Sequence, residues 1–324
     1  MTDNIISVQQ LTKSFGSHKA LDNCSFEIKK GEIFGFLGPS GAGKTTTIKL
    51  LSGQLHSDTG QITILNDSPF SQEIKQKIGI MSDNSGLYEK MIVYDNLVLF
   101  ADIYGVDHSH VERVLREVDL LDAKKMLVSK LSRGMRQRVI FARTIIHSPE
   151  ILFLDEPTVG MDIQSRMRMW DMLLKIRDHF GTTIFLTTHY LEEADQLSDT
   201  ICIMKDGKDV IQGTPLQLRS LIHQDSLQIQ FLTQNEVQEC LPLFQQLFVG
   251  RSVFARNKSI IVNIQNSHSD MEKAMNFLLK NHIPCQSIQI IQPTLEDVFL
   301  RLTTKKEQEV KKENECLGNI TQKY

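Results

Sequence analysis

No uninterrupted apolar run in the sequence approaches the length of a membrane span, and the opening residues MTDNIISVQQ are too polar for a signal peptide. These absences predict a chain that does not itself cross a membrane and that belongs by default in the cytosol. A charge bias is also missing. The net charge of −3 leaves no general basic field, so nucleic acid is not an expected partner. The cysteines, Cys24, Cys202, Cys240, Cys285 and Cys316, are odd in number, far apart and without a C-x-x-C pair. That spacing indicates neither a disulfide framework nor a zinc site, and buried reduced thiols are the expectation. His108 and His110, in DHSHVER, have no further Cys or His nearby and are read as loop residues. With 324 residues, 41% hydrophobic and 23% charged, the chain has ordinary globular composition and room for two domains.

Against that plain background, GPSGAGKT stands out. Gly38, Pro39, Ser40, Gly41, Ala42, Gly43, Lys44 and Thr45 fit the P-loop pattern G-x-x-x-x-G-K-[ST]; Thr46 follows. GEIFGFL before it reads as a buried strand and TTTIKLLSG after it as a helix start, which is the context the motif requires. Glycines let successive backbone N–H groups point at phosphate oxygens, and the following helix offers its positive end. Lys44 is expected to reach the β- and γ-phosphates of a bound nucleotide, and the Thr45 hydroxyl to sit on Mg²⁺. The loop alone does not choose between kinase, GTPase, helicase and transporter ATPase.

From Ile5 to about Leu218, short β-branched runs alternate with helical patterns, as in an α/β sheet. ILFLDEP and TTIFLTTH are the clearest buried strands, each with polar residues at the carboxyl end, where α/β sites are built. QSRMRMWDMLLKIRDHF reads as a helix with Met167, Trp170, Leu173 and Leu174 near one packed face. Between Leu87 and Leu131 the strand signals vanish, so a helical insertion is expected, spanning about residues 87–145. A second unit over about 225–303 reads β-α-β-β-α-β, a small ferredoxin-like module. Thr294 and Asp297 are placed there as a capping box opening a last helix. The charged tail over 304–324 is expected to be disordered.

Asp155 and Glu156 end the strand ILFLD. Asp155 fits a Mg²⁺-holding Walker B carboxylate, and Glu156 a general base that polarises water near the metal without ligating it. About twenty residues upstream, Leu131, Ser132, Arg133, Gly134 and Met135 resemble the LSGGQ signature of ABC ATPases. The order of motifs over about the first 215 residues also resembles that family. It runs P-loop, helical insertion, signature, Walker B, then Gly160-Met161-Asp162 as D-loop and His189 after the strand TTIFLTT.

The resemblance implies a P-loop NTPase core of the ABC ATPase type, ATP and Mg²⁺ as ligands, and a catalytic role for His189 beside Glu156 and Lys44. It implies that Ser132 and Gly134 face the P-loop of a second copy, so that two chains close head-to-tail on two ATP molecules and reopen after hydrolysis. Phe15, in LTKSFG before the first strand pair, matches the family's adenine-stacking aromatic. Two positions depart from the family pattern. Asp83 stands where a glutamine is usual and would approach Mg²⁺ through water, and Arg133 replaces the first signature glycine.

The LSRGMRQR form of the signature and the ending TLEDVFLRLT look like the ATP-binding subunits of type 2 ABC exporters, the branch that includes drug and antibiotic export. In that branch the partner is an integral membrane permease, which would hold this chain peripherally on the cytoplasmic face. Leu87, Tyr88, Met91 and Tyr94, after the presumed Q-loop, are expected to meet a short permease helix, with packing in the insertion's own core as the alternative. A soluble ABC ATPase acting on ribosomes or DNA is the alternative. It typically carries two cassettes on one chain or a long coiled-coil insertion, and neither is present. A P-loop kinase would not explain LSRGM.

Overall fold

The computed structural model describes residues 4–82, 86–220, 225–264, 266–291 and 293–299. Asp83, Cys316 and the tail expected to be disordered lie outside these residues. The chain divides into two compact units, Met1–Pro215 and Leu216 onward.

The first unit opens with two long strands, β1 (Asn4–Phe15) and β2 (His18–Lys29), followed by β3 (Ile33–Leu37), helix α1 (Lys44–Leu51) and strand β4 (Thr59–Ile64). Helix α2 (Gln72–Lys77) leads into β5 (Ile78–Met81), and three helices come next: α3 (Val93–Tyr104), α4 (Ser109–Glu117) and α5 (Arg133–Ile145). Then β6 (Ile151–Asp155), α6 (Ile163–Phe180), β7 (Thr183–Thr188), α7 (Leu191–Leu197), β8 (Thr200–Lys205) and β9 (Lys208–Gly213) alternate, and α8 (Pro215–Ser220) follows.

β5-β6-β7-β3-β8 form a parallel sheet edged by antiparallel β9, while β2-β1-β4 form a separate antiparallel sheet. Every residue of β3, β6 and β7 is buried, as near-continuous apolar strands covered on both faces must be. Alternation divides their side chains. Leu152, Leu154, Ile184 and Leu186 pack with the helical insertion, whereas Phe34, Phe36, Phe153 and Phe185 pack toward β1 and β2. Phe185 meets Phe26, Phe34, Phe36 and Phe153 with ring centroids 5.2–6.1 Å apart.

Two expectations are corrected here. In α6 the buried face is Met169, Trp170, Met172, Leu173 and Ile176, whereas Met167 is exposed and Leu174 only partly covered. A pattern of apolar residues on both flanks of a helix does not tell which flank meets the sheet. Phe15 does not precede the strands; it ends β1 and pairs across a tight turn with His18.

The second unit carries β10 (Ser226–Gln230), α9 (Gln234–Leu247), β11 (Val253–Arg256), β12 (Ser259–Asn263), α10 (Ser267–Lys280) and β13 (Ser287–Ile291). All pairings are antiparallel, in the order β11-β12-β10-β13. That connectivity, with the first and last strands adjacent, is the split β-α-β arrangement of ferredoxin-like modules. Thr233 and Glu236 cap α9 reciprocally, and Thr294 and Asp297 do the same for a turn of helix over 295–299.

Cys24, Cys202 and Cys240 are buried free thiols, but Cys285 is exposed, contrary to the expectation of burial. Among the described residues no helix is long and apolar enough to cross a membrane.

Candidate active site

Strand β3 delivers the chain to Gly38, and the loop from there to Gly43 turns tightly into α1. Gly43 has φ +104°, and a Cβ there would lie 2.4 Å from the Ala20 carbonyl oxygen, so only glycine fits. At Gly38 a Cβ would meet the Met204 carbonyl oxygen at 2.8 Å. Lys44, the first residue of α1, is 6% exposed, and a buried ammonium must find acceptors. Its Nζ donates to the carbonyls of Gly38 (2.7 Å) and Pro39 (3.2 Å) and pairs with Glu156 Oε1 at 3.1 Å.

Asp155 ends β6 and stands in parallel register with Thr187 of β7. Thr187 Oγ1 donates to Asp155 Oδ1 at 2.6 Å, and Thr45 Oγ1 donates to Asp155 Oδ2 at 2.8 Å. One carboxylate oxygen is thereby held to the end of β7 and the other to the start of α1. Glu156 takes a left-handed backbone, φ +48°, which redirects the next side chain away from Asp155. Its N–H is anchored on the carbonyl and on Oγ1 of Thr187, each at 3.1 Å. The Glu156 carboxylate then spans two partners: Lys44 on Oε1 and His189 Nδ1 on Oε2 at 2.7 Å. Adjacent carboxylates therefore have different surroundings. Asp155 sits between two hydroxyls, and Glu156 sits between an ammonium and an imidazole.

Sequence reasoning passes over Thr187. A threonine near the end of a β-strand looks like ordinary strand propensity, and only the register with Asp155 reveals its double contact. Glu156 and Lys44 border a cleft of about 370 Å³ also lined by Phe15, His18, Ser40, Gly41, Thr45 and Thr46. Phe15 is 49% exposed and has the Lys13 ammonium 5.7 Å from its ring centroid. Of the P-loop residues, Gly38 and Pro39 serve Lys44 through their carbonyls, and Ala42 packs into the core. A second groove, near Lys30, Arg113, Glu117 and Phe180, adjoins the residues that precede β6 and β7. It therefore lies away from the strand carboxyl ends where α/β sites form.

Ser132 is the N-cap of α5, accepting from Met135 N at 3.3 Å. Gly134 abuts α6 so closely that a Cβ would lie 2.5 Å from Ser165 Oγ. The Arg133 side chain folds back on its own chain, donating to the Val159 carbonyl at 3.2 Å with its guanidinium flat against Gly160. Ser132, Arg133 and Gly134 do not line the Lys44 cleft. Asp162 caps α6 by accepting from Ser165 N at 2.9 Å.

Beyond the undescribed Asp83, buried Asn96 accepts from Tyr88 N (2.9 Å) and donates to Tyr88 O (3.1 Å), pinning that backbone while the Tyr88 ring stays 52% exposed. Leu87 and Tyr94 instead pack partly into the core. His108 is the N-cap of α4 and meets Asp102, while His110 lies within α4, not in a loop as expected, and meets Ser148; among the described residues no acidic, His or Cys cluster forms a metal-ligand set.

Comparison with known proteins agrees with this geometry. The family described as ABC transporter matches residues 21–159. The linearmycin resistance ATP-binding protein LnrL of Bacillus subtilis is 33% identical over 92% of this chain and 98% of its own. The bacitracin transport ATP-binding protein BcrA of Bacillus licheniformis is 34% identical over 92% and 97%. A Nod factor export ATP-binding protein I of Burkholderia pseudomallei is 34% identical over 92% and 96%. Among solved structures, an ATP binding subunit of an ABC transporter superposes with a TM-score of 0.61 at 25% identity, over 68% of this chain and 93% of that one. The dimeric bacterial ABC transporter cassette MJ0796 does so with 0.59 at 24%, over 64% and 98%, sharing the fold. The chain therefore belongs to the ATP-binding proteins of ABC transporters, a family of P-loop ATP hydrolases.

Proposed function

We propose that this chain is the ATP-hydrolysing subunit of an exporter, held on the cytoplasmic face of the membrane by a separate integral membrane permease. The named relatives act in antibiotic resistance, bacitracin transport and Nod factor export, which supports export as the direction. The observation that carries the chemical reading is the division of labour at the end of β6, where Asp155 faces Thr45 while Glu156 is turned to the cleft between Lys44 and His189.

Lys44 and the backbone of Ser40, Gly41, Ala42 and Gly43 would bind the ATP phosphates, with Thr46 beside them and Phe15 against adenine. The residues present fit Mg²⁺: Thr45 and Asp155 supply one hydroxyl and one carboxylate already facing each other, and a magnesium ion bound through substrate phosphates needs few protein ligands. Bound there, the ion would offset charge on the phosphate oxygens. Glu156 accepts the proton of the attacking water, and His189, hydrogen-bonded to Glu156, keeps that carboxylate aimed. Ser132 and Gly134, away from their own P-loop, would close on the ATP of a second chain in a head-to-tail dimer; a cassette of the same fold is dimeric.

The test of this arrangement mixes chains carrying Lys44→Ala with chains carrying Ser132→Arg, in the presence of the permease. Each mixed dimer would hold one doubly damaged site and one intact site, so partial ATPase activity should return on mixing. Sites built within single chains would give no recovery.

A further inference from the structure

Glu193 has no exposed surface and lies in the first turn of α7, four residues after His189. Its Oε1 accepts from Thr158 Oγ1 at 2.7 Å and from Trp170 Nε1 at 3.0 Å. Burial pushes its carboxyl up from the ordinary range, against the pull of hydrogen bonds from neighbouring hydroxyls and the indole. An apolar side chain would fill such a position at less cost in desolvation. The three segments that converge on this oxygen give the acid its use.

Thr158 is two residues after Glu156, in the loop that leads to α6. Trp170 is on α6 itself, and Glu193 is on the helix that follows His189. Within the loop Val159 N donates to the Glu156 carbonyl at 3.2 Å and Met161 N to the Thr158 carbonyl at 3.1 Å, and from outside it Arg133 donates to the Val159 carbonyl at 3.2 Å, on the side of the loop farther from Glu156 than Thr158 in sequence. Glu156 itself sits in a left-handed conformation that its surroundings must maintain. On the cleft side, the loop and the His189 segment are joined by the 2.7 Å contact between Glu156 and His189. On the buried side they are joined by Thr158 and Glu193. The packing continues outward, since the Arg166 guanidinium lies 5.7 Å from the Trp170 ring centroid and 5.4 Å from that of Tyr190, whose ring packs 4.1 Å from His189.

We infer that Glu193 is a positioning residue for hydrolysis: through Thr158 it holds the loop that carries Glu156, and through its own helix it holds His189, keeping the Glu156 carboxylate aimed. This rests on the general-base reading of Glu156. Thr158 and Trp170 donate to the same oxygen, but only Thr158 is in the loop bearing Glu156, and this difference separates positioning from mere stability.

The experiment compares Thr158→Val with Trp170→Phe in the full chain with its permease, measuring melting temperature, kcat and KM for ATP. Each variant removes one donor to Glu193. Both should lower the melting temperature. Thr158→Val should reduce kcat by about tenfold or more with KM nearly unchanged, and Trp170→Phe should leave kcat within about threefold. Glu193→Gln keeps an acceptor oxygen and should retain turnover, while Glu193→Leu should lose it. Thr158→Ala carries the same expectation as Thr158→Val should the valine variant not fold. Unchanged kcat in the Thr158 variant, or equal losses in Thr158→Val and Trp170→Phe, overturns the inference. A Glu156→Gln arm identifies the cause. If that variant is inactive while the Thr158 variants turn over normally, only the positioning role falls; if it is active, the general-base reading falls and takes the positioning role with it.

Discussion

Replacing Glu156 with glutamine is the sharpest probe of the site, because the geometry predicts a large chemical effect with a small structural one. The carboxylate meets Lys44 Nζ at 3.1 Å on one oxygen and His189 Nδ1 at 2.7 Å on the other. An amide of the same shape keeps a carbonyl oxygen for Lys44 and turns its NH₂ toward His189, whose ring nitrogen can accept in the neutral tautomer. Nothing needs to move, yet the base is gone. Loss of a general base costs roughly 10²–10⁴ in turnover, about 2.7–5.5 kcal/mol of barrier. Binding should go the other way. Lys44 would exchange its charged carboxylate partner for a neutral amide oxygen beside the carbonyls of Gly38 and Pro39, so its charge is freer for phosphate and ATP affinity should hold or rise. Phosphate release at saturating ATP measures the first quantity and equilibrium binding of labelled ATP the second. Gel filtration with ATP should show the variant accumulating as a dimer. Turnover within about threefold of wild type would refute the base assignment, and ATP binding weakened about tenfold or more would make Glu156 a binding residue instead.

Three other perturbations follow from particular contacts. Gly160→Ala puts a methyl where the Arg133 guanidinium lies and forces a side chain at φ +70°, a backbone cost of about 1–2 kcal/mol before any clash. Combining it with Arg133→Gly should cost less than the two singles summed, as a double-mutant cycle on melting free energies would show; strict additivity would mean that the two residues do not touch. Because the folded protein holds the Glu193 proton above the ordinary carboxylate range, the native state binds more protons than the unfolded chain there. Stability therefore falls as pH rises from the ordinary range toward the folded value. Glu193→Gln should remove that decline, so its melting temperature relative to wild type should improve between about pH 4 and pH 7, and a constant difference would refute the argument. Tyr88→Glu changes a ring that is 52% exposed, above a backbone already held by Asn96. ATP binding by the isolated chain should survive, and recovery with the permease in the membrane fraction should fall; loss of ATP binding would return Tyr88 to a packing role.

Much of the molecule was legible because its signals are local. GPSGAGKT needs only its own backbone and the helix that follows to specify a phosphate loop, and the apolar runs of β3, β6 and β7 announce strands buried on both faces. Asp155, Glu156 and His189 could be located one at a time, since each lies at or just past the end of such a strand and α/β sites collect there. Their mutual relations depend on which strands lie side by side. Thr187 reaches Asp155 because β6 and β7 pair in parallel with those residues level, and nothing in TTIFLTTH marks that hydroxyl as different from its neighbours. The same limit applied to α6, where Met167 and Met169 are chemically alike and only the position of the sheet decides which is buried. It applied also to Arg133 and Glu193, whose partners, Val159 and Thr158, are respectively 26 and 35 residues away along the chain. Residue type and short-range spacing are properties of the sequence itself. A contact between side chains tens of residues apart exists only once the sheet register and the helix packing have brought them to within hydrogen-bond reach.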